Sequence, residues 1–63
     1  MDFLLNDLVD NGYVRVPDNF RHSGIVNTVV EKYKATTGRV AEIVEESTDF
    51  GSRLMIVDVE QYL

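Results

Sequence analysis

The single histidine of this 63-residue chain lies in a short segment whose residue types could bind an anion. His22 stands between Arg21 and Ser23, near the predicted start of a long helix. The first turn of a helix leaves backbone N–H groups unpaired, and these groups attract phosphate. The glycines of a phosphate-binding loop are missing. The segment therefore indicates only a weak phosphate or phosphopeptide site, and we favour the plainer interpretation in which Arg21 and His22 face solvent.

Four carboxylates crowd the first strand of a predicted hairpin and its turn. Paired carboxylates can act as acid and base when their surroundings separate their pKa values, but this requires a pocket, which a domain this small seldom offers. The favoured interpretation is a solvated edge whose charges prevent unwanted strand pairing. The alternative is an acidic patch that docks on a basic partner or imitates a phosphate backbone. The patch comprises Glu42 and Glu46, expected on one strand face, Glu45 on the other, and Asp49 in the turn.

The sequence lacks other residues and motifs that are typical of catalysis or metal binding. The chain has no cysteine, and a single histidine cannot form a metal-binding pair. No serine lies in the sequence context of a nucleophile elbow. We therefore predict a protein without enzymatic activity, catalytic residues, cofactor or metal.

The net charge of −5, from 11 acidic and 6 basic residues, gives no general attraction to nucleic acids or anionic membranes. Nucleic-acid binding is kept as the second hypothesis, with Arg15, Arg39 and Arg53 on an exposed sheet face. No apolar run approaches the roughly 18 residues of a membrane span, and the N-terminus lacks the basic region of a signal peptide. These features lead us to expect a cytoplasmic protein.

The elements that must position these residues begin with a predicted helix over 2–11. Leu4, Leu5, Leu8 and Val9 form one apolar helical stripe. A rival interpretation treats Asn11-Gly12 as the turn of a hairpin, but the adjacent leucines favour the helix.

The remaining elements are a strand over 13–16, a helix over 19–37 that ends at Gly38, and a hairpin. The hairpin strands are predicted over 39–46 and 53–60, with a loop over 47–52. The expected fold is therefore a single α+β domain over residues 1–63. Its three-stranded antiparallel sheet has the order 1-3-2, with the long helix packed on one face.

The last strand is apolar on both faces, which points to an interface. Leu54 and Ile56 lie on one face and Met55 and Val57 on the other. If the helices cover one face, the other exposes an apolar patch, unless the first helix covers it. We list Leu54 and Ile56 as candidates for a partner or dimer interface, together with Tyr62 and the loop aromatic Phe50. The usual alternative for a loop aromatic such as Phe50 is that it folds back onto the core.

These observations favour a non-enzymatic protein-binding regulator or inhibitor that acts as a homodimer. A virus- or mobile-element-encoded inhibitor of host machinery is one concrete version. The predicted partner is another protein rather than nucleic acid or a membrane.

Overall fold

The computed structural model describes residues 2–20 and 24–62, in which helices pack on one face of a three-stranded antiparallel sheet. The strand order is β1-β3-β2, so the last strand lies in the middle. This architecture confirms the predicted α+β class and strand order. In chain order the elements are α1 (Asp2–Asn11), β1 (Tyr13–Arg15), a 3-10 turn (Asp18–Phe20), α2 (Ile25–Thr37), β2 (Ala41–Thr48), β3 (Gly51–Asp58) and α3 (Val59–Tyr62).

The hydrophobic core lies between the sheet and the helices α1 and α2. Leu4 and Leu8 of α1 stand one helical turn apart and are completely buried. They belong to the same cluster as Val29 and Tyr33 of α2 and as Ile56 of β3. Because both helices contribute to one cluster on one face of the sheet, the fold has two layers and α1 does not cover the second face.

The first segment is a helix, as the leucine spacing predicted, and Gly12 explains why it stops there. Gly12 has a φ of 82°, a left-handed conformation that glycine adopts without strain, and its N–H bonds the carbonyl of Leu8 at 2.9 Å. A Cβ at this position would stand 2.7 Å from Oε1 of Gln61. The left-handed turn therefore requires glycine here, whereas the flexible side chain of Gln61 in α3 would only have to shift to admit a Cβ.

The predicted start of the long helix at Asn19 is wrong. Asn19 belongs to the 3-10 turn, and α2 begins only at Ile25. Gly24 precedes the helix with a φ of 77°, which interrupts regular helical geometry between the two segments. The other end agrees with the prediction, because Gly38 has a φ of 76° and its N–H bonds the carbonyl of Lys34.

The hairpin is tighter than predicted. Thr48 pairs with Gly51, so the connection has two residues, Asp49 and Phe50, instead of a loop over 47–52. Both strands are consequently displaced from their predicted ranges. The last strand ends at Asp58, where the chain turns into the short helix α3.

Candidate protein-binding surface

Phe50 lies at the tip of the β2–β3 hairpin and is the most exposed apolar side chain of the described residues. Its relative exposure is 100%. The tip is held by Thr48, whose Oγ1 accepts a hydrogen bond from the Phe50 N–H at 3.3 Å and donates to the Gly51 carbonyl at 3.2 Å. The loop therefore projects the phenyl ring into solvent instead of folding it onto the core.

A groove of about 410 Å³ lies beside the hairpin tip. One side consists of the end of β1 and the residues after it, and the other consists of the hairpin tip and the start of β3. The lining includes Arg15, Val16, Pro17, Phe50, Ser52 and Arg53. None of the four acidic residues singled out in the sequence lines this groove, so the structure offers no support there for paired-carboxylate chemistry.

The outer edge of β2 presents backbone hydrogen-bonding groups to solvent. Val16 N–H bonds the Leu54 carbonyl, and Asp58 N–H bonds the Gly12 carbonyl, both toward β1. Backbone groups alternate in direction along a strand. The N–H and C=O groups of the even-numbered residues of β3 therefore point toward β1, and those of the odd-numbered residues point toward β2. The register of β2 against β3 then directs the backbone groups of Ile43, Glu45 and Ser47 away from the sheet. Among the residues the structure describes, no strand pairs with this edge.

The face of the sheet opposite the helices carries a small apolar centre that is covered by its neighbours. Met55 and Val57 are each only 3% exposed. Arg15 Nε lies 3.4 Å from Glu46 Oε1, so this ion pair joins the two outer strands across β3. Arg53 Nε approaches the same carboxylate at 3.9 Å. Arg15, Glu46 and Arg53 therefore lie on the same face of the sheet as Met55 and Val57.

Leu54 and Ile56 were predicted to form an exposed interface, and the structure corrects this. Ile56 is completely buried in the core, and Leu54 is partly buried against it. Both residues point toward α1 and α2, because the face that these helices cover is the one that carries the even-numbered residues of β3. Alternation along the strand correctly separated the two faces but could not show which of them the helices cover.

The three arginines of the nucleic-acid hypothesis do not share one exposed face. Arg15 and Arg53 lie on the face opposite the helices and both approach Glu46. Arg39 instead follows α2 and binds the buried carboxylate of Asp58, with Nε 2.6 Å from Oδ2. The expected basic surface on the sheet is therefore reduced to two arginines that share one glutamate.

Asp58 is the centre of a buried polar cluster that the sequence did not reveal. Its carboxylate accepts hydrogen bonds from Arg39, from the Tyr33 hydroxyl, and from the backbone N–H groups of Glu60 and Gln61. The bonds from Arg39, and then from Tyr33, hold the pKa of Asp58 well below its usual range. Burial, reinforced by the Asp58 carboxylate, raises the pKa of Tyr33.

The role of this cluster is structural. The Asp58 carboxylate is fully buried and accepts five hydrogen bonds from four residues, so it presents no free group to a ligand. Arg39 also reaches Glu60, with Nη2 3.2 Å from Oε2. The Asp58 carboxylate thus connects three parts of the fold, which are α2, α3 and the segment that precedes β2.

The remaining predicted site residues are dispersed or lie outside the described residues. Glu42 and Glu46 share the face opposite the helices and Glu45 lies on the other face, as alternation predicted, while Asp49 is at the hairpin tip. They follow one strand edge and do not converge. The anion-site candidates Arg21, His22 and Ser23 and the side chain of Tyr62 lie outside the described residues.

Comparison of the chain with protein-family models, with curated proteins and with solved structures finds no match. Within residues 2–20 and 24–62, no group of three or more acidic, histidine or cysteine side chains is placed to hold a metal ion. In the same part of the chain, none of the helices combines the length and the apolar character needed to cross a membrane.

Proposed function

We propose that this protein is a non-enzymatic regulator or inhibitor that binds another protein through its β2–β3 hairpin. The observation that carries the proposal is the complete exposure of Phe50 at the hairpin tip. Aromatic side chains that a partner buries in a pocket supply much of the binding energy in protein interfaces. Within the described residues, nothing covers this ring.

The energetics favour a partner at this position. Burying a phenylalanine side chain is favourable by about 2–3 kcal/mol. Because the ring of Phe50 is exposed, a partner that buries it gains this free energy on binding. The groove beside the tip gives a partner a concave surface next to the convex ring. Val16 and Pro17 provide apolar lining, and Arg15 and Arg53 provide polar contacts at the sides.

The predicted homodimer depended on an exposed patch at Leu54 and Ile56. Because Ile56 is buried, self-association stays a prediction without that support. The cytoplasmic location and the viral or mobile-element origin likewise stay predictions. Nucleic-acid binding is the weaker alternative, because Glu46 already lies beside both arginines of the exposed face.

Affinity capture with matched variants tests the proposal. Wild-type protein, Phe50→Ala and Val9→Ala are immobilised at equal density and exposed to lysate of the native host. Val9 is an exposed apolar residue of α1 and serves as the control. We expect one defined protein to be retained by the wild type and by Val9→Ala, and retained at least about tenfold less by Phe50→Ala. Equal retention by all three proteins would reject the hairpin tip as the binding surface.

A further inference from the structure

The outer edge of β2 combines open backbone groups with an ordered pattern of side chains. The backbone N–H and C=O groups of Ile43, Glu45 and Ser47 point away from the sheet, as the register shows. We propose that this edge binds an extended, basic segment of a partner protein as a fourth strand. Lysine or arginine side chains of that segment lie beside Glu42 and Glu45. The inference rests on the proposed function and specifies the chemistry of the partner.

The side chains along the edge define what the added strand must carry. Glu42 and Glu45 are exposed and bracket Ile43 and Val44, which are 42% and 41% exposed. Side chains on neighbouring strands lie close enough to interact, and opposite charges placed there are stabilising. The complementary segment therefore has four consecutive residues of which the first and last are basic and the middle two are apolar.

The two carboxylates are available for such a partner. Neither Glu42 nor Glu45 forms an ion pair with the residues that the structure describes, in contrast to Glu46, which approaches both Arg15 and Arg53. Recognition by strand addition takes its affinity from backbone hydrogen bonds and its specificity from side chains at defined positions. Here the two free carboxylates supply that specificity.

A second copy of the chain fits this edge poorly. When two β2 edges pair in antiparallel fashion, residues whose backbone groups point outward must lie opposite each other, because these groups form the hydrogen bonds between the two copies. Centring the pair on Val44 places Glu42 opposite Glu46, and centring it on Glu45 places that residue opposite its own copy. Like charges in opposite positions are destabilising, and the net charge of −5 adds repulsion. A pair centred on Ile43 avoids opposed like charges, because Glu42 then meets Val44. In that register only the net charge disfavours self-pairing, whereas a basic strand is attracted to Glu42 and Glu45.

The experiment uses two short labelled peptides and the full chain. One peptide has lysine, valine, valine and lysine at its centre with flanking threonines, and the other has glutamate in place of each lysine. Fluorescence anisotropy measures affinity, and amide hydrogen exchange followed by NMR locates the contact. We expect the lysine peptide to bind and to slow the exchange of the Ile43, Glu45 and Ser47 amides. The glutamate peptide should not bind.

Charge-reversed variants make the test specific. Glu42→Lys combined with Glu45→Lys should weaken binding of the lysine peptide by about tenfold and allow the glutamate peptide to bind. Asp7→Lys combined with Glu31→Lys makes the same change in net charge on exposed positions of α1 and α2, and should have a much smaller effect. Circular dichroism confirms that each variant is folded.

Several results would overturn the inference. They are no binding of the lysine peptide, binding without protection of the three amides, equal weakening by both double variants, or protection of the same amides by self-association alone. Phe50→Ala should bind the peptide as the wild type does. A failed peptide assay therefore rejects the β2 edge independently of the capture experiment, which depends on Phe50.

Discussion

Tyr33 donates its phenolic hydrogen to the buried carboxylate of Asp58, joining the middle of α2 to the last residue of β3. Arg39 donates to the same carboxylate from the segment that leads into β2. A helix and the two strands of the hairpin are therefore fixed to each other by one side chain. This cluster anchors the base of the hairpin, at the end opposite to Phe50.

Removal of the Tyr33 hydroxyl should measurably destabilise the fold. Tyr33→Phe keeps the ring in the core but removes one donor from the buried carboxylate, which should cost about 1–3 kcal/mol. For a domain of this size, that loss should lower the melting temperature by several degrees, at about 4–8 °C for each kcal/mol. Thr28→Val is the control, because it removes a hydroxyl whose hydrogen bond to Gly24 is exposed. Equal melting temperatures for both variants would show that the Tyr33 bond is unimportant.

The ionised Asp58 predicts a loss of stability in acid. An unfolded aspartate has a pKa of about 3.9, whereas the pKa of folded Asp58 is lower, with Arg39 as the first cause. The stabilisation is therefore complete above the unfolded value and is lost as the pH falls toward the folded value. The free energy of unfolding, measured with urea, should decrease below about pH 4–5, and Asp58→Asn should remove part of that dependence.

The same prediction can be checked on the wild type alone. The carboxyl carbon shift of Asp58, followed by NMR, should remain that of an ionised group at about pH 3. A titration midpoint close to 4 would contradict the assignment of Asp58 as a strongly stabilised carboxylate.

The stability of the fold should depend more on Met55, which is buried on the face opposite the helices, than on its exposed neighbour Val44. Met55 is 3% exposed, and Val44, which pairs with it in β2, is 41% exposed. Met55→Ala should cost about 2–3 kcal/mol, because it removes buried side-chain atoms from the centre of the sheet. Val44→Ala should cost less than about 1 kcal/mol. Chemical denaturation of both variants measures the difference, and equal losses would show that the side chains around Met55 do not form a packed cover.

The sequence was sufficient to predict the α+β class, the two longer helices and the order of the three strands, but not the short helix α3, whose first residues were assigned to the last strand. Leucine spacing in the first segment indicated α1, Gly38 indicated the end of α2, and the strand–helix–strand–strand order led to the observed 1-3-2 arrangement. The helix start was missed because Gly24 separates two helical segments that read as one. The hairpin loop was predicted too long, because polar residues such as Ser47 and Ser52 belong to paired strands.

The site was less predictable, because it depends on contacts between distant residues. Asp58 lies 25 residues from Tyr33 and 19 from Arg39, and nothing in the local sequence distinguishes it from a solvated aspartate at a strand end. The side of the sheet covered by the helices was equally hidden, because β3 is apolar on both faces. The sequence left open whether Phe50 folds back onto the core or is exposed as an anchor, and the structure shows that its ring is fully exposed.

The most direct test of the central claim is photo-cross-linking from the hairpin tip. A benzophenone amino acid is placed at position 50 in one protein and at position 9 in another, and each is irradiated in a lysate of the cells in which the protein naturally occurs. Both positions are exposed, Phe50 at 100% and Val9 at 44%, and they lie on different elements of the fold. We predict a discrete cross-linked protein from position 50 and none from position 9. Cross-linking from position 9 alone, or from neither position, would contradict binding through the hairpin.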